Sequence, residues 1–200
     1  MKNSLGILVS GKGTTSQAII HYRYSGRWFP IAVVIADREC PAIAIARYAG
    51  IPYEIIKRRD FGVGKNFDCN AFTLQVIEVL KSCGVELVVM AGFMTVLSKE
   101  MFESNTYKDR VLNTHPSLLP AYPGAHAIQD ALDDGAKVTG FTIHVATEKV
   151  DDHTRILVQG EVPIRKGDTY EILNARIQPP ERRAYPPAIK DYCDEIGLEV

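Results

Sequence analysis

The sequence predicts an α/β fold: a Rossmann-like, open, mostly parallel sheet with helices on both faces and a more antiparallel C-terminal portion. Three features carry this expectation. Short apolar runs of buried-strand length recur at residues 5–9, 31–36 and 85–93. Segments with apolar residues at helical spacing separate them, as parallel crossovers require. After Gly124 the alternation breaks, and the strand-like stretches VTGFTIHVAT and RILVQGEVPI succeed one another with no helix between them.

The first strand, residues 5–9, runs into Ser10-Gly11-Lys12-Gly13, and residues 16–24 can be helical. A second strand at 31–36 ends near Asp37 and leads to a helix over 42–49. IPYEIIKRR, residues 51–59, gives a third strand. A helix over 70–83 carries Phe72, Val76, Ile77 and Leu80 on one face, and Gly84 stops it. VELVVMAGF is the fourth strand, a short helix covers 99–103, and RVLNTH is the fifth strand. A helix over 125–133 ends at Gly135. Beyond the two C-terminal strands, a short strand-like segment is expected around Tyr170 and a final helix over 186–196.

Composition narrows the class. Two hundred residues, 46% hydrophobic and 24% charged, suit one domain with a substantial core. A net charge of −1 gives no global attraction for nucleic acid or an acidic membrane surface. No apolar run approaches the ~18 residues of a membrane span, and the N-terminus lacks a secretory h-region. Cys40, Cys69, Cys83 and Cys193 are scattered without a C-x-x-C pair, which fits free thiols in a reducing cytoplasm rather than disulfides or a metal site. The expectation is a cytoplasmic protein acting on small molecules, without nucleic acid, membrane or metal.

Two stretches carry chemistry. SGKGTTSQ joins the first strand to a helix, where open α/β sheets bind ligands. Its glycines permit close backbone approach, and a helix N-terminus offers free N–H groups to an anion. Gly11, Gly13, Thr14 and Thr15 are therefore candidates to cradle one phosphate. The spacing fits neither G-x-G-x-x-G nor the Walker pattern, which disfavours a dinucleotide or triphosphate. The second stretch, NTHPSLLPAYPG, places Asn113 and His115 on one side of an extended segment, and Pro116, Pro120 and Pro123 stiffen the loop beyond them. His144, in a strand pattern, reads equally well as a core histidine, and Asp151-Asp152 as solvated loop residues. An Asn, a His and an Asp together suit acyl transfer without a covalent intermediate: amide and imidazolium stabilise an oxyanion, and the carboxylate holds the ring charged. No G-x-S-x-G nucleophile turn or zinc-binding histidine pair competes with this.

ILVSGKGTTSQAII, VVMAGFMTVLS, VLNTHPSLLPAYPGAHA and GFTIHVATEKVD resemble, in order, successive blocks of the phosphoribosylglycinamide formyltransferases. The resemblance extends over about residues 5–186. It implies one formyltransferase domain over 1–200, with a nucleotide-binding half (1–112) and a catalytic, folate-binding half (113–200). It implies transfer of formyl from 10-formyltetrahydrofolate to glycinamide ribonucleotide in purine biosynthesis. It also implies Asn113, His115 and Asp151 as catalytic residues, the ribonucleotide phosphate on Gly13-Thr14-Thr15, and Glu181 on the ribose. The folate would draw on Met94, Thr95, Val96 and Leu97 and on the loop holding Ala146 and Asp151.

This chain departs from the family pattern at several points. Thr14-Thr15 stand where the family often has Ser-Asn, and Thr95 where an arginine is common. DDHTR replaces D-T-G-P, so the acid is Asp151 by spacing from His144 and Asp152 by counting back from Gln159; Asp151 is preferred, with Asp152 expected as a near-silent surface residue. Lys65 is the nearest candidate for a further phosphate-binding cation. A related formyltransferase or formyl-folate hydrolase with another acceptor, a non-catalytic folate- or nucleotide-binding relative, and a homodimer all stay open.

Overall fold

The structure, a computed structural model, describes residues 4–24 and 30–198. The domain expected over 1–200 also takes in residues 1–3, 25–29 and 199–200, which lie outside the described residues. Seven strands form one sheet: β1 (Ser4–Val9), β2 (Ile31–Ala36), β3 (Tyr53–Ile55), β4 (Val85–Met90), β5 (Val111–His115), β6 (Val138–Val145) and β7 (Ile156–Pro163). Their spatial order is β3-β2-β1-β4-β5-β6-β7. The first five pair in parallel, and β6 and β7 add on in antiparallel. This is the mixed sheet that the loss of alternation after Gly124 predicts.

Helices cover the two faces unequally. On one side lie α1 (Thr14–Tyr24), α2 (Pro41–Tyr48), α5 (Ala127–Asp133) and α6 (Tyr170–Glu195), contributing Ile19, Ile43, Ile128 and Ile177 to a core with Ile7, Val34, Leu112 and Ile143. On the other lie α3 (Cys69–Ser82) and α4 (Lys99–Glu103), where Phe72, Val76, Leu80 and Met101 pack on Leu8, Ile35 and Val88. Burying each such side chain contributes about 1.5–3 kcal/mol before the entropy of ordering it. Asp68 caps α3 by accepting from the Ala71 N–H at 2.9 Å, and Gly84 ends it at φ 67°.

Three expectations fail, each for a physical reason. The third strand is only Tyr53–Ile55: it is the sheet edge, half exposed, and the chain leaves it for 3-10 turns at Arg58–Phe61 and Gly64–Asn66. No strand forms at Tyr170, which instead opens α6 behind Thr169, whose hydroxyl accepts from the Ile172 N–H. The last helix is 26 residues long, running through Pro179, Pro180, Pro186 and Pro187. Each proline withholds one N–H from the helix. Burial of Leu173, Ile177, Tyr185, Ile189 and Tyr192 on one face holds the helix together across those losses.

Candidate active site at the carboxyl edge of the sheet

Strand order reverses at β1, between β2 and β4, so the loops after β1 and β4 diverge there and leave a crevice. The two loops are tied. The Ser10 N–H donates to the Gly92 carbonyl at 3.2 Å, and Ser10 Oγ accepts from the Met94 N–H at 2.8 Å. Gly13 turns the chain into α1 at φ 75°, and a Cβ there would meet Ala42 Cβ at 2.6 Å. Gly11, by contrast, has open space around it. Among the described residues, nothing accepts from the N–H groups of Thr14 and Thr15 in the first turn of α1.

The loop after β4 alternates. Met94 and Val96 are exposed, while Thr95 and Leu97 are buried. The Thr95 hydroxyl donates to Asp37 Oδ2 at 2.7 Å. Asp37 also accepts from Arg38 Nε at 2.8 Å and from Arg38 Nη2 at 3.1 Å. Burial raises the Asp37 carboxyl, but the bonds from Arg38, Thr95 and Ser10 outweigh it and leave the pKa below the usual value. A cavity of about 460 Å³ opens beside Arg38, Arg58, Met94, Thr95 and Val96. Arg58 stacks over Phe67, its guanidinium carbon 4.3 Å from the ring centre. Sequence reasoning missed both arginines. The Asp37-Arg38 pair directly after β2, on a ligand-binding edge, is the signal that could have found one of them. Lys65 is exposed on the turn between Phe61 and Phe67, which pack on the α3 side.

The second cluster lies on β5 and β6. Asn113 and His115 share the face of Val111, and the antiparallel register sets His144 opposite Asn113 and Thr142 opposite His115. Here the sheet face is covered by loops, not by α3 or α4. The loop at residues 116–124 is held by Thr142, whose hydroxyl donates to the Ser117 carbonyl at 2.7 Å and accepts from the Leu119 N–H at 3.0 Å. The loop after β6 brings in Asp151. His115 Nδ1 lies 3.2 Å from Asp151 Oδ1, and both side chains are more than nine-tenths buried. His115 Nε2 donates to the Tyr122 carbonyl at 2.8 Å. With acceptors at both nitrogens, the ring satisfies both only as an imidazolium.

Asp151 Oδ2 accepts from the Gly124 N–H at 2.6 Å, so the carboxylate joins the two loops. Burial pushes its pKa up, and the bonds from His115 and Gly124 more than reverse this, leaving it lowered. The residue sits at φ 52°, a left-handed conformation that Asp tolerates better than most. Asp152 turns away. Its carboxylate accepts from Thr147 Oγ1 at 2.8 Å and the Thr154 N–H at 3.0 Å. It is also 8% exposed, so the expected surface residue is a buried tie within its own loop.

Glu181 comes from the α6 side, where Thr114 points. The glutamate is buried against the Thr114 hydroxyl without reaching hydrogen-bond geometry, and Thr114 Oγ1 has no partner. Burial pushes the Glu181 carboxyl up to about 7, against the opposing pull of Thr114, Arg182 and His115. Ala146, buried, ties the end of β6 to β5 by donating its N–H to the Val111 carbonyl at 2.8 Å. The structure thus gathers two pairs, Asn113 with His144 and His115 with Asp151, near enough that His144 feels the charge of both His115 and Asp151, and Glu181 that of His115.

The pattern of the formyl transferase family matches residues 4–189. The chain belongs to the formyl transferase family. Among formyl transferase relatives, phosphoribosylglycinamide formyltransferase of Mycobacterium tuberculosis is 37% identical over 90% of this chain and 80% of its own length. The trifunctional purine biosynthetic protein adenosine-3 of Gallus gallus is 35% identical over 94% of this chain, which spans 18% of that protein. Among solved structures, glycinamide ribonucleotide transformylase 1 from Symbiobacterium toebii superposes with a TM-score of 0.87 at 38% identity, covering 97% of this chain and 89% of that one. Phosphoribosylglycinamide formyltransferase from Bacillus halodurans gives 0.86 at 32% identity, with 97% of each chain covered. Among the described residues, no three His, Cys, Asp or Glu side chains are grouped to hold a metal ion, and no helix is long and apolar enough to cross a membrane.

Proposed function

We propose that this chain transfers a formyl group from 10-formyltetrahydrofolate to the amine of glycinamide ribonucleotide, in purine biosynthesis. The observation that carries this reading is the buried His115–Asp151 pair beside Asn113 at the end of β5. The neutral amine attacks the formyl carbon, and the carbonyl oxygen takes up negative charge. An N–H of Asn113 donates to that charge, and the His115 ring, its two nitrogens held by Asp151 and the Tyr122 carbonyl, lies beside it as a source of positive charge. Collapse breaks the bond to the folate N10, and the proton lost by the amine ends on that nitrogen, relayed through His115 or water.

Binding uses the crevice. Gly11, Gly13, Thr14 and Thr15 take the ribonucleotide phosphate on free N–H groups, and Glu181 takes the ribose hydroxyls. Met94 and Val96 offer exposed apolar surface to the folate, above buried Leu97 and Ala146. Arg38 and Arg58 bring positive charge to the rim where Thr95 supplies none.

The test is formyl transfer by the purified chain from 10-formyltetrahydrofolate, run with glycinamide ribonucleotide, with a panel of small amines, and with no acceptor. The reading requires formylated ribonucleotide as the main product. Preference for another amine, or release of free formate, would replace it with a related transferase or a hydrolase.

A further inference from the structure

His144 and Asn113 are partners in the antiparallel register of β5 and β6, and their side chains meet: Asn113 Nδ2 lies 3.3 Å from His144 Nε2. The other ring nitrogen, Nδ1, lies 3.2 Å from the carbonyl oxygen of Val145. A carbonyl can only accept, so Nδ1 carries the hydrogen. A neutral ring then has a lone pair at Nε2, and only an N–H can face it. The β6–β7 register shifts between Ile143 and His144, an irregularity of the kind that re-aims a side chain.

From this geometry we infer that His144 is a positioning residue, which as the neutral Nδ1–H tautomer accepts from Asn113 and fixes which end of that amide faces the substrate. The inference rests on the proposed function, in which Asn113 donates to the formyl oxygen. One hydrogen of the Asn113 amide nitrogen is held by His144, and the second is left to donate. The flipped amide would set Oδ1 against the Nε2 lone pair, two acceptors face to face. An imidazolium at His144 would reverse the choice by offering Nε2–H to Oδ1. Burial works against that charged form and lowers the His144 pKa, with Asp151 opposing and His115 assisting. Those two are the ionisable groups that face the ring, from the loop after β6 and from β5. The carbonyl of Asp152 also lies against it without hydrogen-bond geometry.

The tautomer is directly measurable. In protein carrying 15N-labelled histidine, two-bond ring correlations near neutral pH should show His144 with hydrogen on Nδ1 and a lone pair on Nε2. An Nε2–H tautomer or a doubly protonated ring overturns the inference. For function, His144→Leu should lower kcat by about 10- to 100-fold, with the KM of both substrates changing little. His144→Gln, whose side-chain oxygen can accept near the place of Nε2, should recover most of that loss. Equal losses in the Leu and Gln variants, or losses confined to KM, would make His144 a packing residue only. A wild-type chain without formyl transfer would sink the proposed function instead, and the ring correlations would still decide how Asn113 is held.

Discussion

Asp151 Oδ1 stands 3.2 Å from His115 Nδ1, in a pair closed off from solvent by the loops after β5 and β6. The bond from His115 is one of the contacts that hold the Asp151 carboxyl below its usual value despite burial. Asp151→Asn keeps size and tolerates the left-handed backbone at φ 52°, so the charge is what it removes. Its kcat should fall by about 10²-fold or more while KM changes little. The stability sign comes from the lowered Asp151 pKa. The stabilisation is fully present above the unfolded value near 3.8 and is lost as pH falls through the lower folded value. Acid unfolding below pH 3.8 should therefore be less steep in Asp151→Asn.

The neighbouring acid should behave oppositely. Asp152 holds Thr147 and the Thr154 N–H, so Asp152→Ala leaves two loop donors without their acceptor. The expected cost is about 1–3 kcal/mol in urea unfolding, with kcat reduced by far less than in Asp151→Asn. If Asp152→Ala kept full stability and lost turnover, the two acids would have exchanged roles.

The glycines of the first turn separate binding from folding. Gly13→Ala must place a Cβ at positive φ against Ala42 and should lose stability. A Cβ at Gly11 meets no atom within 4 Å, so Gly11→Asp starts from open space. It should fold normally and raise KM for the ribonucleotide by repelling its phosphate, leaving KM for the folate nearly unchanged. Equal weakening of both ligands would remove the phosphate from this turn.

Glu181 gives a pH signature. Its carboxyl is raised from 4.5 to about 7 in the folded state, so folded protein binds more protons than unfolded between those values. Stability from this group is fully present below 4.5 and is lost as pH rises through about 7. Thermal unfolding of Glu181→Gln across that window should lack this decline. An identical decline in the variant would place its origin in another group.

Much of this arrangement is legible in the sequence because it rests on local pattern. The strands are apolar runs, α3 shows its buried stripe, and strand periodicity puts Asn113 and His115 on one face. The features that were not legible depended on partners distant in the chain. The Asn113–His144 contact exists only in the antiparallel register, and the same His144 alone reads as a core residue. Asp151 and Asp152 differ in where a left-handed turn aims each one, which neither residue type encodes. Helix α6 was hidden by its prolines, although Leu173, Ile177, Tyr185, Ile189 and Tyr192 keep helical spacing through them. Thr95 looked like a lost cation until Asp37 supplied its partner and Arg38, paired with the same carboxylate, supplied a positive charge nearby.

The most direct test of the central claim is single-turnover formyl transfer to glycinamide ribonucleotide, comparing the chain with Asn113→Ala and His115→Ala, each checked as folded. The account predicts transfer by the wild-type chain and a fall of about 10²–10³-fold in each variant, with both substrates still bound. A folded Asn113→Ala or His115→Ala protein transferring formyl at the wild-type rate would contradict it.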